Sequence, residues 1–442
     1  MRTIITVIIS FFMSFPVFSQ QSAVMYNMKN NPVRNTLNPA YFPMQKAYIG
    51  MPLFSGISVS FTNSGFTYSD LIKKDSDDSL YIDVANAINS MKGENLINVN
   101  TQIDLFNAGI VIGKKYFVGI SAAERVHMNL LYNKDLFGFA YYGNEAYLGE
   151  EANIEIKLDA THFREYAISF ATELTDKFSV GTRLKYLYGM ENVSTKKTSI
   201  HLYTDPTTFA ITASGNIGIN TSGLSNFSDT ENFNMNQYLF GKSNSGFAFD
   251  FGVQAKPVKN LILSAAVTDL GSIKWKDDAI NYNAAHVNNE FTFSGIDINE
   301  LLGADDIEQA LTDYADSLAS QFFLDTTYYS YTSTLPFSFS SGIQYNLTKK
   351  ISTGLLYQGY SFRDYLSSTL SANLAITLGK KFNSNVVYSM GNNGRSALGL
   401  GIGLTFLQMH WYLVSDNVMA FVKPQEAKST SIRTGILMTF GK

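Results

Sequence analysis

The sequence contains no cysteine, nine prolines, two tryptophans and only 16% charged residues across 442 positions. Without cysteine, neither disulfides nor thiolate metal sites can form, so the fold rests on packing and backbone hydrogen bonds. Past residue 19 there is no run of about 18 uninterrupted apolar residues, which excludes helical membrane spans. Lys and Arg number 33 against 37 Asp and Glu, a net charge of −4. With no basic footprint, nucleic acid is not an expected partner.

Other residues are abundant: 33 Phe, 26 Tyr and 32 Gly. Aromatics, Gly, Ser, Thr and Asn dominate throughout, with no compositional break. A chain of this length ordinarily suggests two or three soluble domains; the uniformity instead fits one continuous sheet closed on itself. At the N-terminus Arg2, the apolar run Ile4 to Phe15 and Val17-Phe18-Ser19 read as a signal peptide over 1–19, cleaved before Gln20. No Cys follows it, so no lipoprotein anchor is expected.

Period two is the strongest signal. Leu398, Leu400, Ile402, Leu404 and Phe406 share one face, and Gly399, Gly401, Gly403 and Thr405 the other. Ile432, Thr434, Ile436, Met438 and Phe440 oppose Ser431, Arg433, Gly435, Leu437 and Thr439. Phe247, Phe249, Phe251 and Val253 oppose Ala248, Asp250, Gly252 and Gln254. A soluble sandwich also alternates. Two features favour a barrel: strands of about 10 to 14 residues, and connections of two kinds. Short lysine-bearing turns occur at 113–116, 175–178, 256–260, 348–351 and 379–382; long polar connections occur at 69–98, 191–244 and 275–334. The expected fold is an all-β transmembrane antiparallel up-and-down barrel over 47–442, of about 14 strands with 12 to 16 allowed. Short helices belong to its extracellular loops or a hatch, and Trp275, Tyr188, Trp411 and Tyr412 to an aromatic girdle.

Pairing across the 175–178 turn sends Tyr166, Ile168, Phe170, Leu184 and Tyr186 toward lipid and Glu165, Arg183 and Lys185 inward. The strand from 116 turns Arg125 and His127 inward as well. These five form a candidate luminal charge cluster, either a solute-selecting constriction or a ladder that stiffens the wall. The small inward residues, Gly119, Ser121, Gly181 and Gly399 among them, leave space for an open channel or for a plug. Two segments qualify as the plug. One is 20–46, with Asn38, Pro39 and Ala40; the other is 130–150, where Leu136, Phe137 and Phe139 read as a short apolar helix and a luminal hatch.

Asn38-Pro-Ala, Phe163-Arg-Glu-Tyr-Ala167, Asp176-Lys-Phe-Ser-Val-Gly181, Leu184-Lys-Tyr-Leu-Tyr-Gly189 and Asp269-Leu-Gly-Ser-Ile-Lys-Trp275 resemble a family of Bacteroidota outer-membrane barrels of unknown function. That family is distantly similar to FadL-type transporters of hydrophobic compounds and to the PorV and PorP/SprF barrels of type IX secretion. The resemblance covers the mature chain and implies a FadL-like barrel whose N-terminal segment enters the lumen. It supplies no substrate, and no ligand-pocket residue carries over.

No catalytic or cofactor motif emerges. Gly399 to Gly403 lies mid-strand, without the following helix that a phosphate loop needs. The five histidines, His127, His162, His201, His286 and His410, show no metal spacing. In 276–334 eleven acidic residues face one lysine, with an amphipathic helix expected at 299–322. The reading is a non-enzymatic outer-membrane barrel without cofactor, passing a small solute, hydrophobic by the resemblance. The alternative is a docking or assembly barrel tied to secretion or the cell surface. Its partners would be outer-membrane lipid, a small hydrophobic ligand, or a secreted or surface protein.

Overall fold

The computed structural model describes residues 22–52, 54–224, 243–284, 291–293, 324–391 and 396–441. The signal peptide read at 1–19 and the helix expected at 299–322 lie outside the described residues. Strand β1 has two collinear pieces, Ala47–Gly50 and Gly56–Asn63. Around the ring follow β2 (Glu94–Ile112), β3 (Tyr116–Asn133), β4 (Glu151–Thr175), β5 (Phe178–Thr204), β6 (Ser245–Val258) and β7 (Leu261–Trp275). Strand β8 is again in two pieces, Tyr331–Thr334 and Phe337–Asn346. Then come β9 (Ile351–Phe362), β10 (Tyr365–Leu378), β11 (Phe382–Gly391), β12 (Ser396–Phe406), β13 (Met409–Ser415) and β14 (Ser429–Phe440).

Every neighbour is antiparallel, and β1 pairs with both β2 and β14, so the sheet closes with no free edge. Among the described residues, sixteen strand segments thus build the closed wall in fourteen positions, because β1 and β8 are each interrupted once. Counting from sequence alone gave about 14 because period two does not register such an interruption.

Alternation sets the two faces. On β4 the outward Tyr166, Ile168, Phe170 and Leu174 are 42 to 62% exposed, whereas the inward Glu165, Ala167 and Ala171 are buried. Two residues above Tyr166 the outward positions turn ionic: Arg164 Nε donates to Glu124 Oε1 (2.7 Å), and His162 Nδ1 lies 2.6 Å from Glu191 Oε2. The apolar belt thus spans residues 166 to 174, close to the roughly 9–11 residues that a tilted strand needs to cross a bilayer. The rest of this 25-residue strand stands above the belt.

That excess builds a second structure. The upper halves of β4 and β5, extended by the strand Ile211–Ser222, form a ribbon above one side of the ring. Register shifts between Glu155 and Asp159 and between Thr195 and Thr198 bend strands locally. The ribbon reaches the two-residue turn joining β9 and β10. There Arg363 Nη2 donates to the carbonyls of Leu158 (3.1 Å) and Thr195 (2.5 Å), and Nη1 to Thr195 Oγ1 (3.1 Å).

The girdle expectation fails at two positions. Trp275 and Tyr412 are fully buried on the inner face; Trp275 Nε1 donates to Ser333 Oγ (2.8 Å) and its ring stacks on Tyr331. Nearness to a strand end does not reveal which face a residue takes.

Candidate functional site: the occupied lumen and its polar cavity

Residues 22–46 lie inside the barrel. The helix Ala23–Tyr26 begins at Ser22, whose Oγ accepts from Met25 N. The 3-10 turn Pro32–Thr36 begins at Asn31, which caps Val33 N. Val24, Met25, Tyr26, Met28, Val33 and Leu37 form an apolar cluster with Leu356, Val387, Val414 and Leu437 of the wall. Burying a side chain of this size stabilises by roughly 1.5–3 kcal/mol. Polar contacts fix the position. Asn385 Nδ2 donates to Val24 O (2.8 Å), Tyr26 Oη to Ser264 Oγ (3.1 Å), and Ser179 Oγ to Ala40 O (3.2 Å). The Asp416 carboxylate accepts from Val24 N (3.1 Å) and Ser22 Oγ (3.2 Å).

Asn38, Pro39 and Ala40 lie against β5 and β6, with Asn38 Nδ2 donating to Tyr26 Oη (3.1 Å) and Ala265 O (3.3 Å). The small inward residues make this possible: a Cβ on Gly181 would collide with the Pro39 carbonyl, and one on Gly401 with Val24. Lys29, at the short-turn rim, donates to Asn346; burial, then the nearby Arg34, lowers its ammonium pKa to about 8.

The second candidate segment lies elsewhere. The helix Lys134–Tyr142 packs against β4 at the long-loop end, with Asp135 Oδ2 accepting from Asn153 N (3.1 Å). Phe137, Tyr141 and Tyr142 are exposed, while Leu136 and Phe139 are half-buried. Leu136, Phe137 and Phe139 are therefore not a luminal hatch: an apolar break in alternation shows that the chain leaves the wall, not on which side.

The structure brings Arg125, Glu165, Arg183 and Lys185 together. Ser169 faces Arg183 and Ala167 faces Lys185 across the β4–β5 hairpin. Arg125 Nη1 lies 2.8 Å from Glu165 Oε2, and Arg183 Nη2 3.0 Å from Glu165 Oε1. Two further carboxylates complete the group. Lys185 Nζ lies 2.6 Å from both Asp250 Oδ1 and Asp269 Oδ1; Arg125 reaches Asp269 at 2.7 Å. Three cations thus meet three carboxylates, and the group is neutral as a whole.

His127 stands apart, 3.3 Å from Asp159 and edge-on to Phe163. Asp250 is not among the five residues read as luminal, although parity puts it on the inward face of its strand. Parity gives no such signal for Asp269. A bulge sets Thr268 and Asp269 together opposite Asp250, and Asp269 takes a left-handed backbone (φ 65°), which Asp tolerates better than most residues. A second bulge, between Asp104 and Phe106, accompanies the ion pair of Asp104 with Arg433 (3.6 Å).

Above the luminal segment these groups border a cavity of about 150 Å³. Its floor includes Ser22 and Leu37; its walls carry Arg125, His127, Asp269 and Arg433. A second cavity of about 510 Å³, under the loop that joins β13 to β14, is lined by Ser60, Gln358, Thr369, Ser389 and Ser431. Toward the mouth, Leu96, Leu131, Tyr360 and Phe362 form an apolar cluster. His201 sits on the ribbon with Nε2 3.1 Å from Ser199 Oγ and Nδ1 2.8 Å from Glu151 Oε1. This Ser–His–Glu order lies on an exposed strand face, outside the cavities described, with neighbouring amides paired in the sheet.

Fold and site together define a transmembrane β-barrel whose lumen holds its own N-terminal segment. Residues 39–416 match the family of unknown function DUF5723, and the chain belongs to that family. No curated protein matches the sequence significantly. Among solved structures, the chain is similar to a Pseudomonas aeruginosa FadL homologue: 8% identity, 96% of this chain and 99% of that one covered, TM-score 0.43. It is also similar to the Ralstonia pickettii toluene transporter TbuX, at 9% identity, 97% and 96% coverage and TM-score 0.41. For the Pseudomonas putida toluene transporter TodX the values are 9%, 96% and 98%, and 0.39. Superpositions this loose establish no residue correspondence.

Proposed function

We propose that this barrel sits in a bacterial outer membrane and passes a small solute passively. In this reading residues 22–46 act as a plug and the β4–β5 ribbon as a lid. The observation that carries the reading is the small cavity between the luminal segment and the mouth, bordered by hydroxyls, amides and the neutral ion cluster. A wall of Ser, Thr, Asn and Gln offers many weak, exchangeable hydrogen bonds, which suits a solute that must enter and leave. The lining of this small cavity favours a polar solute, whereas the larger cavity mixes Ser, Thr and Gln with Ala23, Met419 and Ala420. The ion cluster serves as scaffold, since its charges are spent on one another.

Swelling of proteoliposomes in small neutral solutes such as urea and glycerol tests the reading. Wild-type protein is expected to give a measurable rate, and Arg363→Ala, which unlatches the ribbon from the β9–β10 turn, to raise it several-fold. Liposomes that stay sealed with both proteins would sink the reading.

The docking alternative has one observation in its favour. Leu80, Ile82, Phe421 and Val422 are 59 to 69% exposed on loops at the long-loop end. Were they to form one patch, such side chains would offer a partner an apolar surface. On that reading, full-length protein retrieves one stoichiometric partner from intact envelopes, and Ile82→Glu with Phe421→Glu abolishes the retrieval. Equal retrieval by the double variant would count against it.

A further inference from the structure

The luminal segment does not meet the wall in the same way on all sides. Against β6 and β7 it is bonded: Tyr26, Asn38 and Tyr41 share Ser264 and backbone carbonyls in a connected network. Against β11 it is bonded once, through Asn385 to Val24 O, but nearer the short turns of β11, β12 and β13 it is different. Asn30, Asn383 and His410 are completely buried there. Both side-chain atoms of Asn30, Oδ1 of Asn383 and Nε2 of His410 have no hydrogen-bond partner among the described residues.

The three residues gather around Gly403. Asn383 pairs with Gly403 across β11 and β12. A Cβ on Gly403 would lie 3.2 Å from His410 Cε1, 3.3 Å from Met28 Cε and 3.4 Å from Asn30 Oδ1. The other nitrogen of His410 is engaged, 2.8 Å from Thr405 Oγ1, and leaves Nε2 as the ring's unpartnered nitrogen. Buried polar atoms in native proteins find partners, and where protein supplies none a small polar molecule does. The groups are amides and an imidazole that offer donors and acceptors together, with no carboxylate among them, so they suit a neutral hydrogen-bonding molecule. Gly403 lies three residues from the short turn after Phe406, and the polar cavity reaches Val414, which pairs with Gly401 next along the inner face.

We propose that the joint between residues 28–31 and the wall at Gly403 is a hydrated seam. It binds small neutral hydrogen-bonding molecules, water first, and carries them past the luminal segment without its removal. Met28, over Gly401 and Gly403, is the apolar step between cavity and seam. The passage part rests on the transport reading above; the wet joint itself does not.

The absence of cysteine gives a clean background for testing it. Gly403→Cys in otherwise intact, folded protein is treated with methyl methanethiosulfonate, a small neutral thiol reagent, and followed by mass. Ala171→Cys, buried in the apolar cluster, is the dry control. Labelling at Gly403→Cys is expected to be roughly tenfold faster than the control, since thiol reactivity requires a hydrated, accessible thiolate. Modification should then slow urea-driven swelling. Asn30→Cys reports on the same joint from the luminal side if the strand substitution disturbs folding. Labelling no faster than the control at both positions would overturn the seam while leaving transport by plug displacement standing. Fast labelling with unchanged swelling would overturn passage through it. Fast labelling in protein that supports no swelling at all would keep the wet joint and sink the transport reading instead.

Discussion

Deleting residues 22–42 is expected to open a steady aqueous pore through the barrel, seen as a large rise in single-channel conductance in planar bilayers. The segment fills the short-turn half of the lumen, and the wall behind it is lined by Gly181, Gly252, Gly399, Gly401 and Gly403, which cannot close the space themselves. The closed wall makes no strand pair with the segment, so its loss should leave the barrel folded. Gly181→Val should act in the same direction as a single substitution, because its side chain collides with the Pro39 carbonyl and the segment must shift. Conductance unchanged by both alterations would mean that residues 22–46 do not occlude the path.

Asp250→Ala should cost the most stability of any single change in the ion cluster. Asp250 is fully buried, and its carboxylate faces Lys185 Nζ at 2.6 Å and Arg183 Nη1 at 3.4 Å. It also accepts from Asp269 N (2.7 Å), which holds the bulge that aims Asp269 inward. Removing one partner from a buried ionic group leaves charge uncompensated and typically costs about 3–5 kcal/mol. The loss should appear as a lower urea midpoint for unfolding in lipid vesicles. Pairing Asp250→Leu with Lys185→Met should recover part of it, since the double change removes opposite charges together. A double variant less stable than either single one would mean that the group's value lies in specific hydrogen bonds rather than in charge balance.

The place of each charge in that cluster shows what could be read locally. Glu165, Arg183 and Lys185 follow from strict alternation across a two-residue turn, and Asp250 from alternation on its own strand. Asp269 is out of reach of the pattern, because a bulge adds a residue and reverses the face. The same bulge lies before Trp275; Tyr412, by contrast, faces inward by plain alternation with Trp411, and only its nearness to a strand end suggested the rim. Leu136, Phe137 and Phe139 show another limit. Their departure from alternation was legible, but their docking site is set by the long upper half of β4 and by neighbouring loops far away in sequence.

By itself the sequence determined that this chain is a closed transmembrane barrel, which strand faces look inward, and that short turns gather at one end and long loops at the other. Those are local properties: side chains alternate with period two, and apolar positions must face lipid. Only the tertiary structure decided that residues 22–46 occupy the lumen, that two bulges turn acids inward, and that the β4–β5 ribbon reaches Arg363. Each depends on partners hundreds of residues apart or on a single inserted residue. A periodic pattern carries information about neither.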